Sequence, residues 1–212
     1  MSSVEKNRLR SKRVKNIARF LLLVSSLFIF TQNISANEQQ DLKKHLLTKI
    51  DEVIVIVQDK ALSKSKRNND IINVLKSTFD FEIMAKLSLG KNVWKQLGED
   101  EQKRFTTLYV KRMEKSYSSK LDAYTDEKVE VKEIIQAKKN RIYLLTDLIN
   151  GGEKLEITYK FYKPKKKVST KHDWLIYDVE ILGVSILKAD NAQFKDFLKT
   201  KTIAELMEAL DT

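Results

Sequence analysis

The hydrophobic period of this chain changes near Thr125, and that change restricts the fold more than any other feature. Before it, apolar residues recur at three-to-four spacing; after it, they alternate with period two. An α-helix returns to the same face every 3.6 residues or so and a strand every two. The chain therefore makes helices first and a sheet second. In "KLEITYKFYK", Leu155, Ile157, Tyr159 and Phe161 share one face, while Glu156, Thr158 and Lys160 share the other.

Three neighbouring segments read the same way. Val129 and Val131 pattern "KVEVKEI", Ile142 and Leu144 pattern "RIYLLTDLI", and "WLIYDVEIL" from Trp174 has the β-branched and aromatic density of a buried strand. Gly151-Gly152 marks a hairpin, and "KPKKK", with the only proline, marks a loop. About four strands joined by short connections give an antiparallel meander. Helices return at the C-terminus, so the expected class is α+β: a curved antiparallel sheet packed by N-terminal and C-terminal helices. The expected division is a helical part 37–125, a sheet 126–187 and C-terminal helices 188–212, all in one domain 37–212.

In the helical part, Leu42, Leu46, Ile50, Val53 or Ile54 and Val57 stripe a helix expected over Asn37 to Lys60. Asp70 is placed to cap the next helix, and Gly90 to end a third. After Gly98 a long helix carries Phe105, Leu108, Tyr109, Met113, Tyr117, Leu121 and Tyr124 along one side. Such a stripe is more often core than cofactor site.

The first 36 residues stand apart. Seven Lys/Arg and one acid precede the apolar run "FLLLVSSLFIF", which ends in "TQNISA". A basic segment, a short apolar run and a small-residue exit describe a cleaved signal peptide, with Ala36–Asn37 the expected site. A run of eleven residues falls short of the roughly 20 that span hydrocarbon. Removing the segment leaves 33 basic and 28 acidic residues, so the net charge falls from +11 to +5. The expected compartment is the periplasm. There are no cysteines, which excludes disulfides and thiol chemistry and requires a self-sufficient core.

Enzyme signatures are missing. No G-x-S-x-G, H-E-x-x-H or phosphate-binding glycine motif occurs, and no metal-ligand set stands out. His45 and His172 read as solvated. Asp178, inside an apolar strand, reads as a buried carboxylate satisfied by backbone or a basic group; an exported enzyme using it with Tyr177 or Tyr159 is the alternative. A structural or adaptor protein with a filled core is a third. The run Lys163, Lys165, Lys166, Lys167 reads as a solvated loop, with contact to an acidic membrane or partner as its functional reading. Aromatics that follow core periodicity argue against nucleic acid.

Two motif blocks resemble one family. The first comprises Phe79-Asp80, Met84-Ala85, Leu89-Gly90, Trp94, Leu97, Glu101-Gln102, Phe105, Tyr117, Leu121 and Tyr124. The second comprises Trp174, Tyr177-Asp178-Val179, Gly183-Val184-Ser185-Ile186 and Gln193-Phe194. Their order and spacing are similar to the MlaC (toluene-tolerance) family of periplasmic phospholipid-binding proteins. The resemblance implies a monomeric shuttle without catalysis or cofactor, carrying phospholipid as cargo between outer and inner membranes to maintain outer-membrane asymmetry. It also implies two partners, an MCE-domain (MlaD-like) protein of an ABC transporter and an outer-membrane MlaA-like lipoprotein, with transient membrane contact.

Such cargo needs an apolar cavity between helices and sheet. Two chains of about 15 methylenes each, at roughly 0.8 kcal/mol per methylene, would cost on the order of 20 kcal/mol to hold in water. Expected lining residues are Phe105, Tyr109, Met113 and Tyr117 from the long helix, and Val131, Leu144, Ile157, Tyr159, Trp174, Val179, Gly183 and Val184 from the sheet. The last strand is expected to continue through Gly183 to Leu187, with Gly183 at a bulge or a close backbone approach. Asp190 is then the cap of the next helix, with Gln193 closing a capping box. The alternative stops the strand at Gly183 and lets Ser185 cap.

Overall fold

The computed structural model describes residues 30–121, 128–166 and 170–211. The chain divides into two compact units, Met1–Leu42 and Lys43–Thr212. Of the first unit only residues 30–42 are described, all within helix α1 (Phe30–Gln58). That helix starts upstream of the expected Asn37. The basic segment and most of the apolar run lie outside the described residues.

Helix α2 (Lys64–Lys76) is capped by Ser63, whose extended backbone lets its hydroxyl accept from Lys66 N–H. The expected cap, Asp70, lies inside the helix and pairs instead with Lys66 at 2.8 Å. Any acid one turn further along has that i,i+4 option. Asp80 does cap α3 (Phe81–Leu89), accepting from Ile83 N–H at 3.1 Å, and Gly90 ends it at φ +90°. A short α4 (Lys91–Trp94) leads into α5 (Glu99–Leu121), where the Glu101 carboxylate accepts from Gly98 N–H at 2.9 Å. Tyr124, expected on this helix, lies outside the described residues.

Five antiparallel strands follow in sequence order: β1 (Lys128–Lys138), β2 (Arg141–Asn150), β3 (Glu153–Tyr162), β4 (Leu175–Ile181) and β5 (Val184–Ser185). The α+β meander is as expected, with β5 as a two-residue addition. The strand does not run through Gly183. Leu182 at φ +50° and Gly183 at φ +76° form a tight turn, and Ile181 then pairs with Val184. Two central residues at positive φ match the primed turns that suit the twist of a hairpin. A Cβ on Gly183 would meet nothing within 4 Å. The glycine answers to backbone conformation, and crowding plays no part.

Ser185, held extended by that pairing, caps α6 (Ile186–Phe197) by accepting from Lys188 N–H. The expected cap, Asp190, is buried inside this helix. Helix α7 (Ile203–Asp211) begins with a capping box: Thr202 Oγ1 accepts from Glu205 N–H, and Glu205 Oε2 accepts from Thr202 N–H.

Register sorts one sheet face into cross-strand rows. These are Val129–Leu148–Leu155, then Val131–Thr146–Ile157–Ile181–Val184, then Ile134–Leu144–Tyr159–Val179, then Gln136–Ile142–Phe161–Ile176. The opposite face carries Tyr143, Asp147, Thr158 and Lys160, with Asp147 held by Lys132 at 3.3 Å and Lys154 at 3.6 Å.

A buried aromatic cluster joins α4, α5 and α6. Phe105 stacks on Tyr109 at 6.4 Å between ring centres and meets Trp94 and Phe194 edge-on at 6.3 and 5.9 Å. Asp190 is satisfied there by Tyr109 Oη at 2.9 Å and Arg112 Nη1 at 2.6 Å, while Arg112 Nη2 donates to Gln193. Burial first, then the Asp190 charge and hydrogen bond, push the Tyr109 hydroxyl pKa up.

Candidate functional site

One end of the sheet is hollow. A cavity of about 310 Å³ lies between its first three rows and the helices, at the lower end of the ~300–1,000 Å³ usual for ligand pockets. Its sheet wall is Val129, Leu148, Leu155, Ile157, Tyr159, Val179 and Ile181. Facing it, α1 supplies Leu46, Ile50, Val53, Ile54 and Val57, and α2 supplies Ile71, Ile72 and Leu75. Met113, Glu114 and Tyr117 of α5 close a third side, and Phe79 and Phe81 form the floor toward α3.

These elements meet because their apolar stripes are complementary. Helix α1 repeats aliphatics at three-to-four spacing, and the sheet repeats them at two, so each presents one continuous oily face. The polar minority is Lys49, Asn68, Thr78, Glu114 and the two tyrosines. Lys49 pairs with Glu52 at 2.8 Å, and Thr78 binds His45 at 3.0 Å. Burial pushes Tyr159 up to about 12. It also raises Tyr117, with the Asp190 charge second. A wall of this composition can hold hydrocarbon and offers almost nothing to a polar solute.

The structure divides the residues named from the sequence. Met113, Tyr117, Ile157, Tyr159 and Val179 line the cavity. Phe105, Tyr109, Leu144 and Trp174 do not; they are fully buried in close-packed core. Val131 and Val184 fall in the cavity's second row, at its two outer ends, and Gly183 in the exposed turn beside Val184. Sequence reasoning did not name the aliphatic face of α1 and α2 as lining, although it recognised the α1 stripe as amphipathic. The signal was that stripe's width: Ile50, Val53, Ile54 and Val57 cover more surface than a helix needs to dock on one neighbour.

Asp178 has its oxygens occupied. Ser185 Oγ donates at 2.8 Å, Leu187 N–H at 3.2 Å and Lys160 Nζ at 3.3 Å. Neither Tyr177 nor Tyr159 is among these contacts; Tyr177 instead meets Tyr143 Oη at 3.4 Å. Burial alone would lower the Lys160 pKa, but hydrogen bonds and charges of Glu180 and Asp178 outweigh it and hold the ammonium above its ordinary range.

The two histidines are half-buried and packed on each other rather than freely solvated. Their rings stack at 4.1 Å, and Trp174 N–H donates to His172 Nδ1 at 3.1 Å. The fold brings α1 against the loop before β4, a pairing no local pattern encodes.

A second hollow of about 650 Å³ lies outside the apolar cavity and shares Ile72 and Phe81 with it. Its charged lining is mixed: Lys76 and Lys171 against Asp80 and Glu82. Asp80 is committed to its helix cap and to Tyr162, and Lys171 to Phe79 O at 3.0 Å.

Comparison with known proteins agrees with this architecture. A family model described as MlaC protein matches residues 48–212. Among solved structures, a phospholipid-binding protein from Ralstonia solanacearum, determined in complex with a phospholipid, superposes with a TM-score of 0.67. The two are 18% identical, and the match covers 79% of this chain and 93% of that one. A search of curated proteins finds none that matches.

Proposed function

The chain belongs to the MlaC family, and from that premise we propose that it binds phospholipid and carries it between membranes. The observation that carries this reading is the apolar cavity between sheet and helices, in a family-matched region that includes every residue of its lining except Leu46. Acyl chains lie against Ile157, Tyr159 and Val179 on one side and Met113 and Tyr117 on another. Phe105, Tyr109, Leu144 and Trp174 support the cavity from the surrounding core rather than touching cargo. Val131, Gly183 and Val184 stand at its edge.

The finer reading follows the family. The chain works in the periplasm after loss of residues 1–36, without catalysis or cofactor. It serves an Mla-type ABC transport system that maintains outer-membrane asymmetry, exchanging cargo with an MCE-domain protein and an outer-membrane lipoprotein. Protein purified without detergent is expected to carry phospholipid detectable by extraction and mass spectrometry. Protein that is repeatedly lipid-free, and that takes none from vesicles, would sink the reading.

A further inference from the structure

The turn between β4 and β5 breaks two rules at once. Leu182 is the one non-glycine residue at positive φ among the described residues, in a turn position that favours Asn, Asp or Gly. It is also 66% exposed, and Val184 beside it is 63% exposed. The other large apolar side chains left exposed among the described residues are Val55 and Leu87, so half of that short set crowds into one turn. Nothing in the packing of the fold rewards a leucine there. Local rules are broken where function requires it.

Register says what this turn adjoins. Val184 pairs directly with Ile181, and Ile181 with Ile157, so the three side chains lie on one sheet face. Ile181 and Ile157 line the cavity, as does Ile186 just beyond Ser185. The row from Val131 to Val184 and the row from Val129 to Leu155 contain no charged residue on that face. Glu156, Glu180 and Lys160 on β3 and β4 belong to the opposite face, and the next charge on the same face is the exposed Glu153 at the start of β3, beyond Leu155. An uncharged strip therefore runs from the cavity wall to the outermost tip of the sheet.

We propose that the Leu182–Val184 turn dips into the interfacial layer of a phospholipid bilayer that contains anionic lipid, giving acyl chains a dry route into the cavity. This rests on the reading of the cavity as a phospholipid site. The occupant follows from chemistry on three counts. The tip is convex and aliphatic, which suits insertion among acyl chains. Its strip carries no charge to pair with a protein rim. The chain's net charge of +11, or +5 without its first 36 residues, favours an anionic surface, and Lys188 stands exposed on the first turn of α6. The lysine loop at Lys163, Lys165 and Lys166 connects β3 to β4 at the opposite end of the sheet, away from the hollow rows.

The test is Leu182→Asn, which gives the turn its preferred Asn-Gly sequence while removing the apolar tip. Its melting temperature is expected to equal or exceed that of the native chain, and its solution binding of a short-chain phosphatidylglycerol below the micelle concentration to be unchanged. Flotation with vesicles of phosphatidylethanolamine and phosphatidylglycerol should fall about tenfold, as expected for loss of one inserted leucine. Extraction of a fluorescent phospholipid from them should slow similarly, and Leu182→Met should restore both. Unchanged flotation in Leu182→Asn overturns the proposal. So does a loss produced by Lys165→Gln with Lys166→Gln and not by Leu182→Asn. A native chain that dimerises through Leu182 in sedimentation, without floating, assigns the tip to a second copy and also overturns it. Leu182-dependent flotation by a protein that binds no short-chain lipid would leave the membrane contact standing and sink the carrier reading alone.

Discussion

Helix α5 passes from a packed environment into a hollow one within about two turns. Its Phe105 and Tyr109 are fully buried against Trp94 and Phe194, with rings 5.9–6.4 Å apart. Met113 and Tyr117, on the same stripe, face a cavity of about 310 Å³. The sheet repeats the contrast. Its row through Ile142, Phe161 and Ile176 is buried in core, whereas the rows through Leu155, Ile157 and Tyr159 open onto the cavity. One end thus holds the fold together so that the other can stay open.

The largest expected effect tests the packed end. Phe194→Ala removes a ring that touches Phe105 and Tyr109 and lies beneath Arg112 at 5.3 Å. Denaturant titration is expected to give a loss of about 3–5 kcal/mol, the usual range for a buried aromatic. Ile157→Ala, on the cavity wall, should lose only about 1 kcal/mol, because few atoms pack against the deleted methyls. Equal losses at the two sites would break the contrast and mean that the cavity closes in solution.

How much of this was legible in the sequence follows from the same contrast. Periodicity fixes which face of an element is apolar, so the α+β order, the strand faces and the α5 stripe were all readable. It says nothing about the distance to the facing element. Phe105 and Met113 obey one helical period, and only the aromatics arriving from α4 and α6 make one of them core and the other lining. The same limit hid the stacking of His45 on His172, which depends on two segments far apart in the chain. Gly183 was readable as a constraint but not as a turn. A glycine flanked by aliphatics looks like an interrupted strand unless the residue before it is allowed an unusual backbone, and Leu182 is an improbable candidate for that. The Ser185 cap was hidden with it, because a cap is recognised by where the preceding strand ends.

A smaller effect tests the hollow end from the opposite direction. Val179→Phe adds a ring to the cavity wall next to Tyr159. In a packed core such enlargement costs about 1–3 kcal/mol. Here the expected cost is under about 1 kcal/mol, because space is present to receive the ring, while the amount of co-purified phospholipid falls by more than half. A strongly destabilised variant would show that Val179 belongs with the packed region. An unaltered lipid load in a stable variant would remove this part of the wall from the proposed site.

The smallest effect appears only in alkali, and it compares one tyrosine from each region. Tyr109 is pushed up by burial and by the charge and hydrogen bond of Asp190. Tyr159 is pushed up to about 12 by burial alone. Both folded values lie above the ordinary tyrosine value near 10, so each contribution to stability is complete below about pH 10 and is lost as pH rises, because the unfolded chain ionises first. Tyr159→Phe should leave stability at neutral pH nearly unchanged and make the decline above about pH 10 shallower. Cargo should separate the two residues further. Acyl chains beside Tyr159 replace the water that would solvate a phenolate, so loading with phospholipid should delay its tyrosinate absorbance while leaving Tyr109 untouched. Identical alkaline titrations of loaded and empty protein would place the cargo away from Tyr159 and break the assignment of the hollow end.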